Sequence, residues 1–216
     1  MKLTIVYDNE VFKKGIGLKS DWGFSCLIEN DGSNILFDTG ANAEILLNNF
    51  KKLNFDPKNI NKIVISHEHW DHNGGLKSLT HLIDDLKVYR INDEYLGKKI
   101  KVILSEKSGL IEKNIYTTGR LSGSPIDEQS LILKGKNGCF ILVGCSHSKV
   151  EKILQVAKNF GNVVGIIGGL HGFDNFSVLD NLDLIYPCHC TKYKDDISEI
   201  YQEKFKLCGV GLTISI

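Results

Sequence analysis

An excess of either charge is missing from this chain: 26 Lys and Arg balance 26 Asp and Glu over 216 residues, so the formal charge is zero. No basic block or Arg-rich stripe interrupts that balance. Nothing draws a polyanion in from a distance, and nucleic acid is a poor first substrate. Long apolar runs are missing as well, since none approaches the roughly 20 residues that span a bilayer. The opening Met1-Lys2-Leu3-Thr4-Ile5-Val6-Tyr7 alternates like a strand and lacks the apolar core and small-residue cleavage site of a secretion signal. A cytoplasmic protein with no membrane partner is expected. A cysteine framework is the third absence. Cys26, Cys139, Cys145, Cys188, Cys190 and Cys208 fall at irregular spacings, so in a reducing compartment they read as thiols. Only Cys188 and Cys190, which flank His189, invite a metal reading, and Cys-x-Cys without a second pair is a weak signal.

What remains is an ordinary globular composition, 42% hydrophobic and 24% charged, with enough chain for a substantial core; residues 1–216 read as one domain. Its organising stretch is Ile63-Val64-Ile65-Ser66-His67-Glu68-His69-Trp70-Asp71-His72-Asn73-Gly74-Gly75. An apolar run of strand length ends at Ser66, and His67, His69, Asp71 and His72 follow before a glycine pair closes the loop. A lone histidine at a strand end is usually a satisfied core or surface residue. Four potential ligands within six positions are different, because three imidazoles beside one carboxylate would repel each other if protonated and gain little from solvation alone. His67 and His69 could converge on one metal, with Asp71 and His72 facing a second. Imidazole with carboxylate suits zinc, with manganese or iron as substitutes where geometry allows.

Other strands share this habit of ending in a polar group. Residues 22–29 and 34–37 read as strands joined by the turn Asn30-Asp31-Gly32-Ser33, and the second of them ends in Asp38-Thr39-Gly40. A helix over 45–53 and a short turn at Asp56-Pro57 lead into the organising strand. Strands are expected over 87–91, 101–104, 114–119 and 129–134, with a short helix near 76–79. The buried run 138–145 ends in Ser146-His147, a helix stripe over 150–160 follows, and the strand 163–167 ends at Gly168-Gly169-Leu170-His171. Residues 184–188 form another apolar strand, ending in His189, before a helix over 195–205 and a closing strand over 210–216. Strand, Asp38, helix, strand, His67 is thus echoed by strand, His147, helix, strand, His171. Two similar halves follow, each a sheet with helices on its outer face, packed sheet to sheet. Taken singly, Asp38 could cap a helix, His147 could cap the helix that follows it, and His189 could belong to a thiol cluster.

His67-x-His69-x-Asp71-His72 after an apolar strand resembles the signature of the metallo-β-lactamase superfamily, and the likeness runs over nearly the whole chain. The resemblance implies an α/β fold, a four-layer αβ/βα sandwich of two mixed sheets with outer helices. It implies two divalent ions, zinc first: His67, His69 and His147 on one, Asp71, His72 and His189 on the other. A water bridging such ions is acidified into a hydroxide nucleophile while both metals polarise the substrate oxygen. Asp71 would orient that hydroxide, and Asp38 would accept from a ligand histidine and hold its tautomer. There is one departure. Most members place a metal-bridging Asp where this chain has His171; Asp174, three residues on, could swing in to take that place, and His171 is either a ligand or a proton donor to substrate.

Trp22-Gly23-Phe24-Ser25, Glu128-Gln129-Ser130-Leu131, Gly144-Cys145-Ser146-His147 and His189-Cys190-Thr191 are similar to the branch named after the dihydropterin ribofuranosylaminobenzene phosphate synthase. Many members of that branch carry only the label of metal-dependent hydrolase. Glu128 and Gln129 fall on a loop that could reach the pocket or form an exposed turn. The reading is therefore a hydrolase of a small phosphate- or ester-containing metabolite; a β-lactam is disfavoured by these motifs and by the missing secretion signal. The alternatives are a pterin-pathway synthase and a non-catalytic zinc module that binds a small ligand. Asp71 argues against the last, because a structural zinc needs a closed four-ligand site and no water activator.

Overall fold

The computed structural model describes all 216 residues. The chain divides into two compact units, Met1–Leu104 with Gly209–Ser215, and Ser105–Cys208 with Ile216. In the first unit β1 (Lys2–Tyr7), β2 (Ser25–Asn30) and β3 (Ser33–Phe37) run antiparallel. The β2–β3 connection is a two-residue loop in which Asp31 and Gly32 both take positive φ (45° and 82°), which matches the twist of the flanking strands. Asn42 then caps α1 (Ala43–Lys52) by accepting from the amides of Glu44 and Ile45, and α1 buries Leu46, Asn49 and Phe50. Asp56 caps the turn at Pro57–Asn59 in the same way. The chain returns as β4 (Lys62–Val64), parallel to β3.

Two short helices follow, α2 (Trp70–Asn73) and α3 (Leu76–Leu82), and then the parallel strands β5 (Lys87–Arg90) and β6 (Lys101–Leu104). In the second unit β7 (Gly109–Glu112), β8 (Ile115–Thr117), β9 (Leu131–Lys134) and β10 (Cys139–Val143) are antiparallel neighbours. Helix α4 (Val150–Ala157) buries Val150, Ile153, Leu154 and Ala157, the spacing of one helix face. Each large apolar side chain so buried contributes about 1.5–3 kcal/mol. Parallel strands β11 (Val163–Gly169) and β12 (Leu184–Cys188), then α5 (Lys194–Ile200), complete the unit. The chain closes in the first unit, where β13 (Thr213–Ser215) pairs with β1.

The result is a seven-stranded sheet, β13-β1-β2-β3-β4-β5-β6, and a six-stranded sheet, β12-β11-β10-β9-β8-β7, both mixed. Each unit has its own core, one around Leu36, Phe50, Ile63 and Val88, the other around Ile141, Ile153, Ile166 and Ile185. Both expected strand–helix–strand crossovers are present. The differences are local. Helix α5 stops at Ile200 rather than 205, where the chain turns so that Phe205 can bridge to Ile185. The strand expected over 210–216 is regular only at Thr213–Ser215, and β7 and α2 have too few residues to show a period.

Candidate metal centre

Register explains why ligand-type residues cluster in the first unit. Phe37 of β3 lies opposite Val64 of β4, so both parallel strands end at one level and hand over Asp38 and Ser66-His67 side by side. Asp38 is fully buried, with φ +57°, and accepts from the Ser66 amide (2.7 Å), the Ser66 hydroxyl (2.7 Å) and Nδ1 of His72 (2.7 Å). Helix α1 is capped by Asn42 instead, so Asp38 is not occupied as its cap. The carboxylate fixes His72 with Nδ1 protonated, which leaves Nε2 as a lone-pair donor 3.8 Å from Oδ2 of Asp71. Ser66 Oγ also lies 2.9 Å from Nδ1 of His67, whose Nε2 is 3.1 Å from Nδ1 of His69. Two imidazole nitrogens directed at each other over that distance can share a proton or an ion. His67 with His69, and Asp71 with His72, fall in groups whose donor atoms lie within 4.8 Å of one another, and imidazole with carboxylate is donor chemistry that fits a divalent transition metal.

Several contacts hold the loop in place. The amide and hydroxyl of Thr39 both donate to the His72 carbonyl (2.7 and 3.1 Å). The Gly74-Gly75 pair is needed because Cβ atoms there would lie 2.3 Å from the Ala41 carbonyl oxygen and 2.5 Å from that of Thr39. Glu68, between the two histidines, accepts from Nε of Arg90 (3.0 Å), from Nη2 of Arg90 and from Asn73 (3.0 Å). Arg90 is itself buried, and its Nη1 pairs with Glu94 at 2.6 Å. Trp22 donates its indole N–H to Oδ2 of Asp71 (2.9 Å). Buried Asn49 anchors the loop before Trp22 through the Lys19 amide and carbonyl. None of these partners was identifiable from local sequence, although Trp22 stands in a motif of the branch.

In the second unit, Val143 lies opposite Gly168, and Gly169 opposite Cys188, so three parallel strands end together. Each is followed by a residue in the left-handed region: Ser146 (φ +62°), His171 (+46°) and His189 (+49°). That conformation costs a non-glycine residue roughly 1–2 kcal/mol and recurs where a site dictates the backbone. Glu128, assigned by sequence to a loop or an exposed turn, is fully buried and accepts from the backbone amides of Cys145 (2.8 Å), Ser146 (3.2 Å) and His147 (2.6 Å). Gln129 is buried too and accepts from Thr117 rather than facing a pocket. The rings of His147 and His171 are 5.0 Å apart and line a cavity of about 320 Å³ together with Lys149, Phe173 and Asp174. His189 is buried beside Cys145 and Cys190. The Cys190 thiol is held below its ordinary pKa chiefly by hydrogen bonding with Cys145, against the opposing effect of burial, and further by His171.

The family model of the metallo-β-lactamase superfamily matches residues 23–154, more than half of the chain. An uncharacterized protein of Methanocaldococcus jannaschii is 29% identical, the match covering 89% of this chain and 91% of that protein. The 7,8-dihydropterin-6-methyl-4-(β-D-ribofuranosyl)-aminobenzene-5′-phosphate synthase of the same organism is also 29% identical, over 72% of each chain. Among solved structures, a metal-dependent hydrolase of the β-lactamase superfamily superposes with a TM-score of 0.77 at 24% identity, covering 100% of this chain and 99% of the other. Two mixed sheets with helices, a His-x-His-x-Asp-His loop at a strand end and the family match agree: the chain belongs to the metallo-β-lactamase superfamily of metal-dependent hydrolases.

Proposed function

We propose that the chain is a dinuclear hydrolase, with zinc the first expectation, acting on a small metabolite that carries a phosphate or ester group. His67, His69 and His147 would hold one ion, and Asp71, His72 and His189 the other. The observation that carries this reading is the loop of the first unit, where two imidazole nitrogens lie 3.1 Å apart and a third imidazole is oriented by buried Asp38. Bound divalent ions supply Lewis acidity to the substrate oxygen and lower the pKa of water. The residues do the rest. Asp38 keeps His72 in one tautomer, Trp22 fixes the rotamer of Asp71, and the Asp71 carboxylate orients the attacking water. His171, on the cavity wall, either joins the ligands or protonates the leaving group. A small-molecule substrate agrees with the zero formal charge and the cavity size. Residues 1–216 act as one domain, consistent with a family match that runs through both units. No helix is long and apolar enough to cross a membrane. The synthase reading stays as an alternative because of the 29% identity to that enzyme.

Metal analysis coupled to a turnover screen tests the reading. One to two equivalents of a transition metal are expected, with hydrolysis of a compound among phosphodiesters, thioesters, lactones and phosphomonoesters. Less than about half an equivalent after reconstitution with zinc or manganese sinks the ligand assignment. Turnover of a dihydropterin substrate without hydrolysis of any ester selects the synthase instead. His171→Ala separates the two roles open to that residue. As a proton donor, its loss leaves metal content unchanged and lowers kcat by about 10²-fold. As a ligand, its loss lowers metal content, and unchanged content with unchanged rate shows that it does neither.

A further inference from the structure

Sulfur donors stand at the strand ends of the second unit, and the dinuclear reading uses none of them. Cys145 precedes His147 by two residues and Cys190 follows His189. Their Sγ atoms are 3.2 Å apart, and with a ring nitrogen of His189 they form three donors all within 4.8 Å of one another. A disulfide needs sulfurs at about 2.05 Å, so the pair is unbridged. An ion about 2.3 Å from each sulfur and about 2.0 Å from a nitrogen has donor-to-donor edges below that 4.8 Å limit.

The surroundings are built to keep these donors together. A Cβ on Gly169 would lie 2.7 Å from Cys190 Sγ, 3.3 Å from His189 Cδ2 and 2.5 Å from the Gly144 carbonyl oxygen, so the strand end tolerates only glycine. Ser146 Oγ donates to the Gly169 carbonyl at 2.8 Å, and the Gly169 amide donates to the Gly144 carbonyl at 3.1 Å, locking the ends of β10 and β11. Cys145 and His189 are buried at 3% and 8% exposure.

We propose that Cys145 and Cys190 are metal ligands, which together with His189 form a Cys₂His site for a thiophilic divalent ion. The proposal rests on the reading that His189 binds the second ion and specifies how that ion is held. The two thiolates supply the negative charge that a bridging carboxylate would bring, at the centre where this chain has His171 in place of that Asp. Binding displaces two thiol protons to solvent. Asp71 and His72, which the dinuclear reading assigns to the same ion through their shared group with His189, complete its donor set. Thiolates also select zinc, cobalt or cadmium over manganese and magnesium.

Cobalt(II) reconstitution of the full chain tests this. A near-ultraviolet sulfur-to-cobalt charge-transfer band should accompany the visible ligand-field bands. Cys145→Ser and Cys190→Ser should each weaken that band by at least half, and the double variant should lose it and one equivalent of metal while keeping the other. Ligand-field bands without a charge-transfer band in the wild-type protein overturn the proposal and leave an imidazole- and carboxylate-bound dinuclear site standing. No cobalt uptake at all overturns both readings. Should the variants fail to fold, alkylation of partly exposed Cys190 in the wild-type protein decides: zinc should slow it at least tenfold, and an unchanged rate refutes sulfur ligation.

Discussion

Asp71→Ala is expected to lower turnover on any substrate found by at least about 10²-fold while the protein keeps its fold. The activity falls because the carboxylate has two tasks in the proposed mechanism, holding the second ion and orienting the attacking water. The fold survives because the change unsatisfies little. Oδ2 of Asp71 accepts from the Trp22 indole at 2.9 Å, and Trp22 is half exposed, so its N–H finds water instead. His67 keeps Ser66, His69 keeps His67, and His72 keeps Asp38. The measurement is kcat/KM with metal content and melting temperature on the same preparation. Full activity in a folded, metal-loaded Asp71→Ala protein would falsify the mechanism. If the protein were instead a binding module, ligand affinity would be nearly intact and there would be no turnover to lose.

The second large effect is on stability. Glu128→Ala removes the acceptor for three consecutive buried amides, those of Cys145, Ser146 and His147. Carboxylate acceptors make the stronger class of hydrogen bond, and each buried donor left without a partner costs about 1–3 kcal/mol. The variant should lose on the order of 4 kcal/mol, a drop of roughly 10 °C in Tm for a chain of this size. Activity should fall too, since the same amides set the backbone that aims His147. Glu128→Gln should lie between, because one amide oxygen still accepts while the NH₂ group faces the backbone donors. A melting curve for Glu128→Ala that overlays the wild type removes the carboxylate from this role.

How far the sequence reaches depends on the range of the interactions. The apolar strand before Ser66, the Asp31-Gly32 turn, the α4 stripe and the polar residue closing each buried strand are local patterns, legible because pleat, turn and helix periods are set within a few residues. From them followed two strand–helix–strand repeats and the clustering of His67, His69, Asp71 and His72. The partners of those residues are another matter. Asp38 meets Ser66 28 residues later and His72 34 residues later; Trp22 meets Asp71 across 49 positions, Arg90 meets Glu68 across 22, and Glu128 meets the Cys145 amide across 17. No local period encodes such pairs. Only strand register, which brings Phe37 level with Val64 and Val143 level with Gly168, decides which polar groups share a buried edge. The sequence alone determined that this chain carries ligand-type side chains at strand ends. Tertiary structure decided which carboxylate orients which histidine, and that Cys145 and Cys190 face each other, because buried polar groups must find partners wherever the fold delivers them.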